Sequence, residues 1–162
     1  MKATQILISM LMIALLLACS NAKTDSNSSA NADLEEAKKA IAESNAVYFE
    51  SFAKNDSSIF INRYAEDCCI MAPNAPAMCG PDVPLQFFKT AYSQFGLRGG
   101  KFITQEVFGA GDGYVAEVGL WQSFNAEGKM FDDGKFLVLW KKTPKGWKMF
   151  RDSFSSNHKQ GY

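Results

Sequence analysis

From Lys101 onward the chain carries four runs rich in Val, Phe, Trp and Tyr. They are separated by Gly109-Ala110-Gly111-Asp112-Gly113, Asn125-Ala126-Glu127-Gly128 and Thr143-Pro144-Lys145-Gly146. Connections this short, with glycine free to take positive φ, join antiparallel neighbours, whereas parallel strands need a long crossover. The C-terminal half is therefore an antiparallel meander. Gly134, inside the third run, predicts a bulge or bend that curves the sheet.

Upstream of Lys101 the apolar period is that of a helix. Asp33 and Glu36 have the spacing of a capping box, and behind them Leu34, Ala37, Ile41, Tyr48 and Phe52 recur on one face. Asn55-Asp56 breaks this first helix. Asp56 can cap a second, short helix reaching Tyr64, and Cys68 to Met71 reads as a short strand. A turn-rich stretch with Pro73, Asn74, Pro76 and Gly80 leads to Pro81. This proline opens a third helix with Leu85, Phe88, Tyr92 and Phe95 on one face, stopped by Gly96. Three N-terminal helices packed on a curved antiparallel β-sheet make an α+β architecture, a cone whose concave face the helices cover. Phenylalanine alone occurs 13 times, so rings line the core or a cavity.

The chain opens with Lys2 and an apolar run from Ile6 to Ala18. That run is shorter than the roughly 20 apolar residues a membrane-spanning helix requires, and it reads as the core of an export signal. Leu16-Leu17-Ala18-Cys19 resembles a lipobox, in which the cysteine thiol is acylated and becomes the new N-terminus. The expected organisation is a signal peptide over 1–18, an acylated Cys19 with a Ser/Asn/Ala-rich tether over 19–33, a folded domain over 34–157 and a tail over 158–162. A lipoprotein of this kind sits on the periplasmic side of the cell envelope, anchored in the bilayer through Cys19. Ser20, rather than Asp, after the cysteine favours the outer membrane by resemblance to other Gram-negative lipoproteins.

The 17 basic and 17 acidic residues balance, and no basic block exceeds Lys141-Lys142. Nucleic acid is thereby excluded as a partner, since phosphate binding needs a concentrated Lys/Arg surface. The only histidine is His158 and there is no CxxC, so no metal site is expected. With no GxSxG, P-loop or GxGxxG, no cofactor is expected either. Besides Cys19 there remain Cys68, Cys69 and Cys79. In an oxidising compartment Cys79 can bridge either member of the vicinal pair, or all three can be buried as small apolar residues.

Along the last strand Phe150, Asp152 and Phe154 alternate with Met149, Arg151 and Ser153. If the face carrying Asp152 is concave, burial raises its pKa and makes it a candidate acid or hydrogen-bond donor. If it lies at the rim, it pairs with a nearby Arg or Lys. Glu117 and Trp121 share a face, and a charged residue there favours the open side of the sheet. Tyr64, Met71, Phe88 and Trp140 read as core or cavity wall. Large side chains on both faces of the last strand, Trp147 and Met149 opposite Phe150, predict a homodimer through the exposed sheet face.

Two stretches, RYAEDCCIMAPNAPAMCGPDVPLQFF and DGKFLVLWKKTPKGWKMFRDSFSSN, resemble the signature segments of the DUF4440/SnoaL-like branch of the NTF2-like superfamily, relatives of ketosteroid isomerase. The resemblance covers most of Tyr48 to Asn157 and implies the cone fold. It places Tyr48 where the isomerases hold their oxyanion tyrosine. The base position is occupied by Ala72, however, and the strand of the second acid reads Phe136-Leu137-Val138-Leu139-Trp140, without a carboxylate. Isomerase-type proton transfer thus loses its base.

Because this superfold hosts enzymes, binders and association modules, three functions follow as expectations. The leading one is an exported lipoprotein whose cavity binds a small apolar or aromatic molecule, with Tyr48, Tyr64, Met71, Phe88, Trp121, Trp140 and Asp152 as ligand-binding residues. The second is a SnoaL-like isomerase, lyase or hydrolase with Asp152 and Tyr48 as catalytic residues. The third is a homo-oligomeric association module, as in related domains of calcium/calmodulin-dependent kinase and nuclear transport factor.

Overall fold

In chain order the elements are helix α1 over 33–54, α2 (Ser57–Ile61), strand β1 (Tyr64–Met71), β2 (Met78–Cys79), α3 (Val83–Ser93), β3 (Gly99–Gly111), β4 (Tyr114–Phe124), β5 (Met130–Thr143) and β6 (Gly146–Ser156). These come from a computed structural model that describes residue 31 and residues 33–159. The expected signal peptide, Cys19 and all but the end of the expected tether lie outside the described residues.

The meander forms as the glycine-bearing connections require. Asp112 and Gly113, both at positive φ, close the β3–β4 hairpin by the two-residue loop that left-handed backbone allows. The six strands lie in the order β2-β1-β6-β5-β4-β3. The antiparallel expectation holds for β3 to β6 and for β1–β2, but β1 runs parallel to β6. The physical reason is connectivity: β6 ends the meander with a free edge, and β1, followed by a crossover through α3, fills it. β1 begins at Tyr64, four residues earlier than expected, because the second helix stops at Ile61.

α1 buries Ala37, Ile41, Tyr48, Phe49 and Phe52 against the concave face. Its N-terminus departs from the expected capping box. Asp33 and Glu36 both accept from Lys142 Nζ at 2.8 Å, a tie to the β5–β6 hairpin, and helical backbone includes Asn31 and Asp33 of the expected tether. Asp56 does cap α2, accepting from the Ser58 backbone N–H at 2.9 Å. In α3 the first-turn proline is Pro84 rather than Pro81. The buried face is Val83, Pro84, Phe88 and Ala91, while Phe95, expected on that face, is 64% exposed. Phe88 stacks on Phe52 at 4.7 Å between ring centroids, joining α3 to α1.

The disulfide pairs Cys69 with Cys79, and Cys68 is a free, buried thiol that burial pushes up to about 11. The choice follows from β1–β2 pairing, which sets Cys69 directly opposite Cys79. Gly134 is not at a bulge. A Cβ there would overlap the Ser155 carbonyl and come 2.8 Å from Trp121 Nε1, so glycine is required by close approach of a strand and an indole.

Candidate functional site

One irregularity in β6 sets the character of the concave face. Trp140 pairs with Met149, yet the next residue, Leu139, pairs with Arg151, so Phe150 is the extra residue of a β-bulge. The bulge turns Trp147 and Met149 to the same side as Asp152, and all three are buried. Phe150 is displaced from that side, with the Arg151 guanidinium 3.6 Å and Lys141 Nζ 4.9 Å from its ring centre. The simple alternation expected for β6 is thus corrected. Trp147 and Met149, expected opposite Phe150, both belong to the core.

Between the sheet and the helices lies a cavity of about 360 Å³. Asp152 lies at its floor. Four residues on toward the mouth, about 13 Å by strand rise, Ser156 lies near Ser123, Asp132 and His158, all of which line the same space. Between floor and mouth the walls are Tyr48 and Phe49 from α1, Phe87 from α3, and Phe102, Trp121, Phe136 and Phe154 from the sheet. Trp121 Nε1 is buried without a hydrogen-bond partner among the described residues. His158 is not a frayed tail residue. Its Nε2 lies 2.5 Å from Asp133 Oδ1, and Asn157 bonds Asp133 through both backbone and side chain.

Asp152, 6% exposed, takes the concave placement. Its Oδ2 accepts from Tyr64 Oη at 2.7 Å. Burial pushes its pKa up to about 6, opposed by the Tyr64 hydrogen bond and by Arg63, with Glu117 adding to the rise. Burial likewise raises the Tyr48 phenol well above its ordinary range, so Tyr48 stays a neutral phenol. Both line the cavity, which allows a bound molecule to touch a phenol and a carboxyl that changes protonation near neutral pH.

Beneath the floor lies a polar layer that sequence reasoning missed. Glu117, expected on the open face, is 1% exposed on the concave one and accepts from Thr104 Oγ1 (2.6 Å), Asn45 Nδ2 (2.7 Å) and Trp140 Nε1 (3.0 Å). Burial raises its pKa, with those three donors and Arg63 opposing. Its alternation with Val115, Gly119 and Trp121 was the available signal, because the partners that make burial tolerable come from three other elements. Arg63, 4% exposed, sits 4.7 Å from the centre of the Tyr48 ring, and its Nε and Nη1 have no partner among the described residues.

Of the seven expected ligand-binding residues, Tyr48, Trp121 and Asp152 line the cavity. Tyr64 acts behind the wall through its bond to Asp152. Trp140 is fully buried as a donor to Glu117, and Phe88 packs in the helical core. Met71 ends β1 beside Ala72 and Pro73, which take the lining position instead. Helical and strand periods mark these four as buried but do not separate core from cavity wall.

No family model matches the sequence, and no curated protein matches it. Solved structures do match. An NTF-2 like protein from Shewanella oneidensis is 20% identical, with a TM-score of 0.62 over 73% of this chain and 98% of that one. A ketosteroid isomerase-like protein from Erwinia carotovora is also 20% identical, with a TM-score of 0.60 over 78% and 98% of the two chains. An NTF2-like superfamily protein from Salmonella enterica is 17% identical, with a TM-score of 0.57 over 77% and 94%. Helices on a curved six-stranded sheet, superposing on nearly the whole of these solved structures, give this chain the NTF2-like fold.

Proposed function

We propose that this chain is an exported lipoprotein, anchored through acylated Cys19 on the periplasmic side of the envelope. Its domain, of the DUF4440/SnoaL-like branch, binds a small apolar or aromatic molecule. The observation that carries the binding reading is the cavity of about 360 Å³, walled by aromatic rings and floored by one buried carboxyl. Its size and its few converging polar groups are those of a small-molecule site. The expected test is saturable binding of small aromatic compounds, seen as a rise in thermal midpoint and as shifted NMR signals of Trp121. An absence of binding across a broad fragment set overturns the reading.

A catalytic role rests on the shared placement of Asp152 and Tyr48 in that cavity. An acid with a pKa of about 6 exchanges its proton readily near neutral pH, as a SnoaL-like isomerase, lyase or hydrolase requires. A homodimer, and with it an association role, is supported by the convex face. There Leu137, paired with Val118, is 50% exposed, and Ile103, Phe108 and Leu120 are 41%, 40% and 37% exposed. Such an apolar patch is characteristic of an association surface.

A further inference from the structure

We infer that the cavity selects a ligand bearing a protonated amine on its apolar or aromatic body, the ammonium donating to Asp152 at the floor. This inference rests on the ligand-binding reading above and names the class of ligand.

Hydrogen-bond capacity supports it first. Tyr64 occupies Asp152 Oδ2, whereas Oδ1 receives no donor among the described residues. A carboxylate buried in an apolar wall with an open acceptor is completed by a donor, and by a charged donor best. A neutral hydrocarbon leaves that oxygen unpaired, and a carboxylate ligand brings like charge against it.

Charge gives the second argument. The titratable groups facing Asp152 are Tyr48 from α1, Arg63 from the turn before β1, Tyr64 and the neutral Cys68 thiol from β1, and Glu117 from β4. α3 presents Phe87 and Ala91, and β5 presents Val138, none of them charged. Arg63 makes no ion pair among the described residues, and Glu117 already accepts from three donors. With both acids ionised, two negative charges face one positive, so a proton or a ligand cation at Asp152 restores neutrality. The mouth adds Asp132, and its one basic side chain, His158, is already paired with Asp133.

The walls point the same way. Rings of Tyr48, Phe102, Trp121, Phe136 and Phe154 surround the space, and the face of an aromatic ring attracts a cation, most strongly where water is excluded.

The test is calorimetric titration of the purified full chain with 4-phenylbutylamine, 4-phenylbutan-1-ol and 4-phenylbutanoate. At pH about 7.5 the amine is expected to bind about tenfold more tightly than the alcohol, the preference given by a charge-assisted hydrogen bond, with the carboxylate weakest. Because Asp152 takes up a proton below about 6, lowering the pH to about 5 should weaken amine binding by about tenfold and leave the alcohol unaffected. In Asp152→Asn the difference between amine and alcohol should disappear. Equal binding of amine and alcohol, or an amine affinity that ignores pH, overturns the inference while leaving ligand binding by the cavity intact. If none of the three probes binds, both readings fall.

Discussion

Tyr64 Oη lies 2.7 Å from Asp152 Oδ2, a buried hydrogen bond between residues 88 apart in sequence. Parallel pairing of β1 with β6 brings them together, and the bulge at Phe150 turns Asp152 inward to meet the phenol. The bond holds a carboxyl in an aromatic cavity, a location that otherwise favours its neutral form.

Stability should therefore fall with rising pH through the Asp152 window. Between the ordinary value of 3.8 and the folded value of about 6, the folded protein retains a proton that the unfolded chain has lost. The contribution is unfavourable above that window and absent below it, and Glu117, also raised by burial, adds in the same direction. Asp152→Asn keeps an acceptor for Tyr64 and removes the charge. It should be more stable than the parent near pH 7 by on the order of 1–3 kcal/mol, with the gain lost near pH about 4. Urea unfolding at the two pH values measures this, and equal stability of parent and variant at both contradicts it.

Tyr64→Phe should move the Asp152 pKa upward from about 6, because the Tyr64 hydrogen bond is the larger of the two influences that lower it. It should also cost about 1–3 kcal/mol, the expense of leaving a buried acceptor unpaired. Carboxyl titration by NMR reads the first effect and denaturant unfolding the second. A downward shift would contradict the assigned role of the phenol.

The Cys69–Cys79 bridge closes a sequence separation of 10 and secures the loop that brings Ala72 and Pro73 to the cavity. Replacing both cysteines with Ala should destabilise the protein by about 2–3 kcal/mol and weaken ligand binding. Peptide mapping under non-reducing conditions should find this pair, with Cys68 alkylated only after denaturation. Cys68 reacting rapidly in the folded protein would contradict its burial.

Leu137→Asp places a charge in the apolar patch of the convex face, on the side of β5 opposite its neighbours Phe136 and Val138, which line the cavity. If that patch is the proposed dimer surface, light scattering at tens of micromolar should give a dimer mass for the parent and a monomer mass for the variant, with unchanged circular dichroism. A monomeric parent removes the dimer proposal.

Cys19→Ala should abolish acylation, leaving the protein unprocessed or releasing it from membranes, as judged by fractionation and mass. The expectation follows from the proposal that acyl chains on Cys19 anchor the protein, each buried methylene contributing about 0.8 kcal/mol. A variant that partitions with membranes at the parent's mass rules out the lipobox.

Much of the architecture was legible in the chain. Short glycine-bearing connections dictate hairpins because nothing longer than a turn fits between the last four runs. The apolar spacing from Ala37 to Phe52 marks a helix face that must be covered. Asp152 was legible as a candidate because it stood among aromatic residues, though for an incomplete reason. Simple alternation placed it with Phe150, and the bulge instead places it with Met149.

What local pattern determines is which residues seek burial and which segments can turn. Tertiary structure decided the rest: the parallel seat of β1 beside β6, the choice of Cys69 over Cys68, and the inward placement of Glu117. It also decided which buried aromatic residues face a cavity and which face only one another. Each of these depends on groups distant in sequence: a strand edge left open, a cysteine set opposite by pairing, donors from three elements meeting one carboxylate. Periodicity records the tendency of a side chain to leave water. Whether it meets a partner, a ring or an empty space is determined only when the sheet closes over the helices.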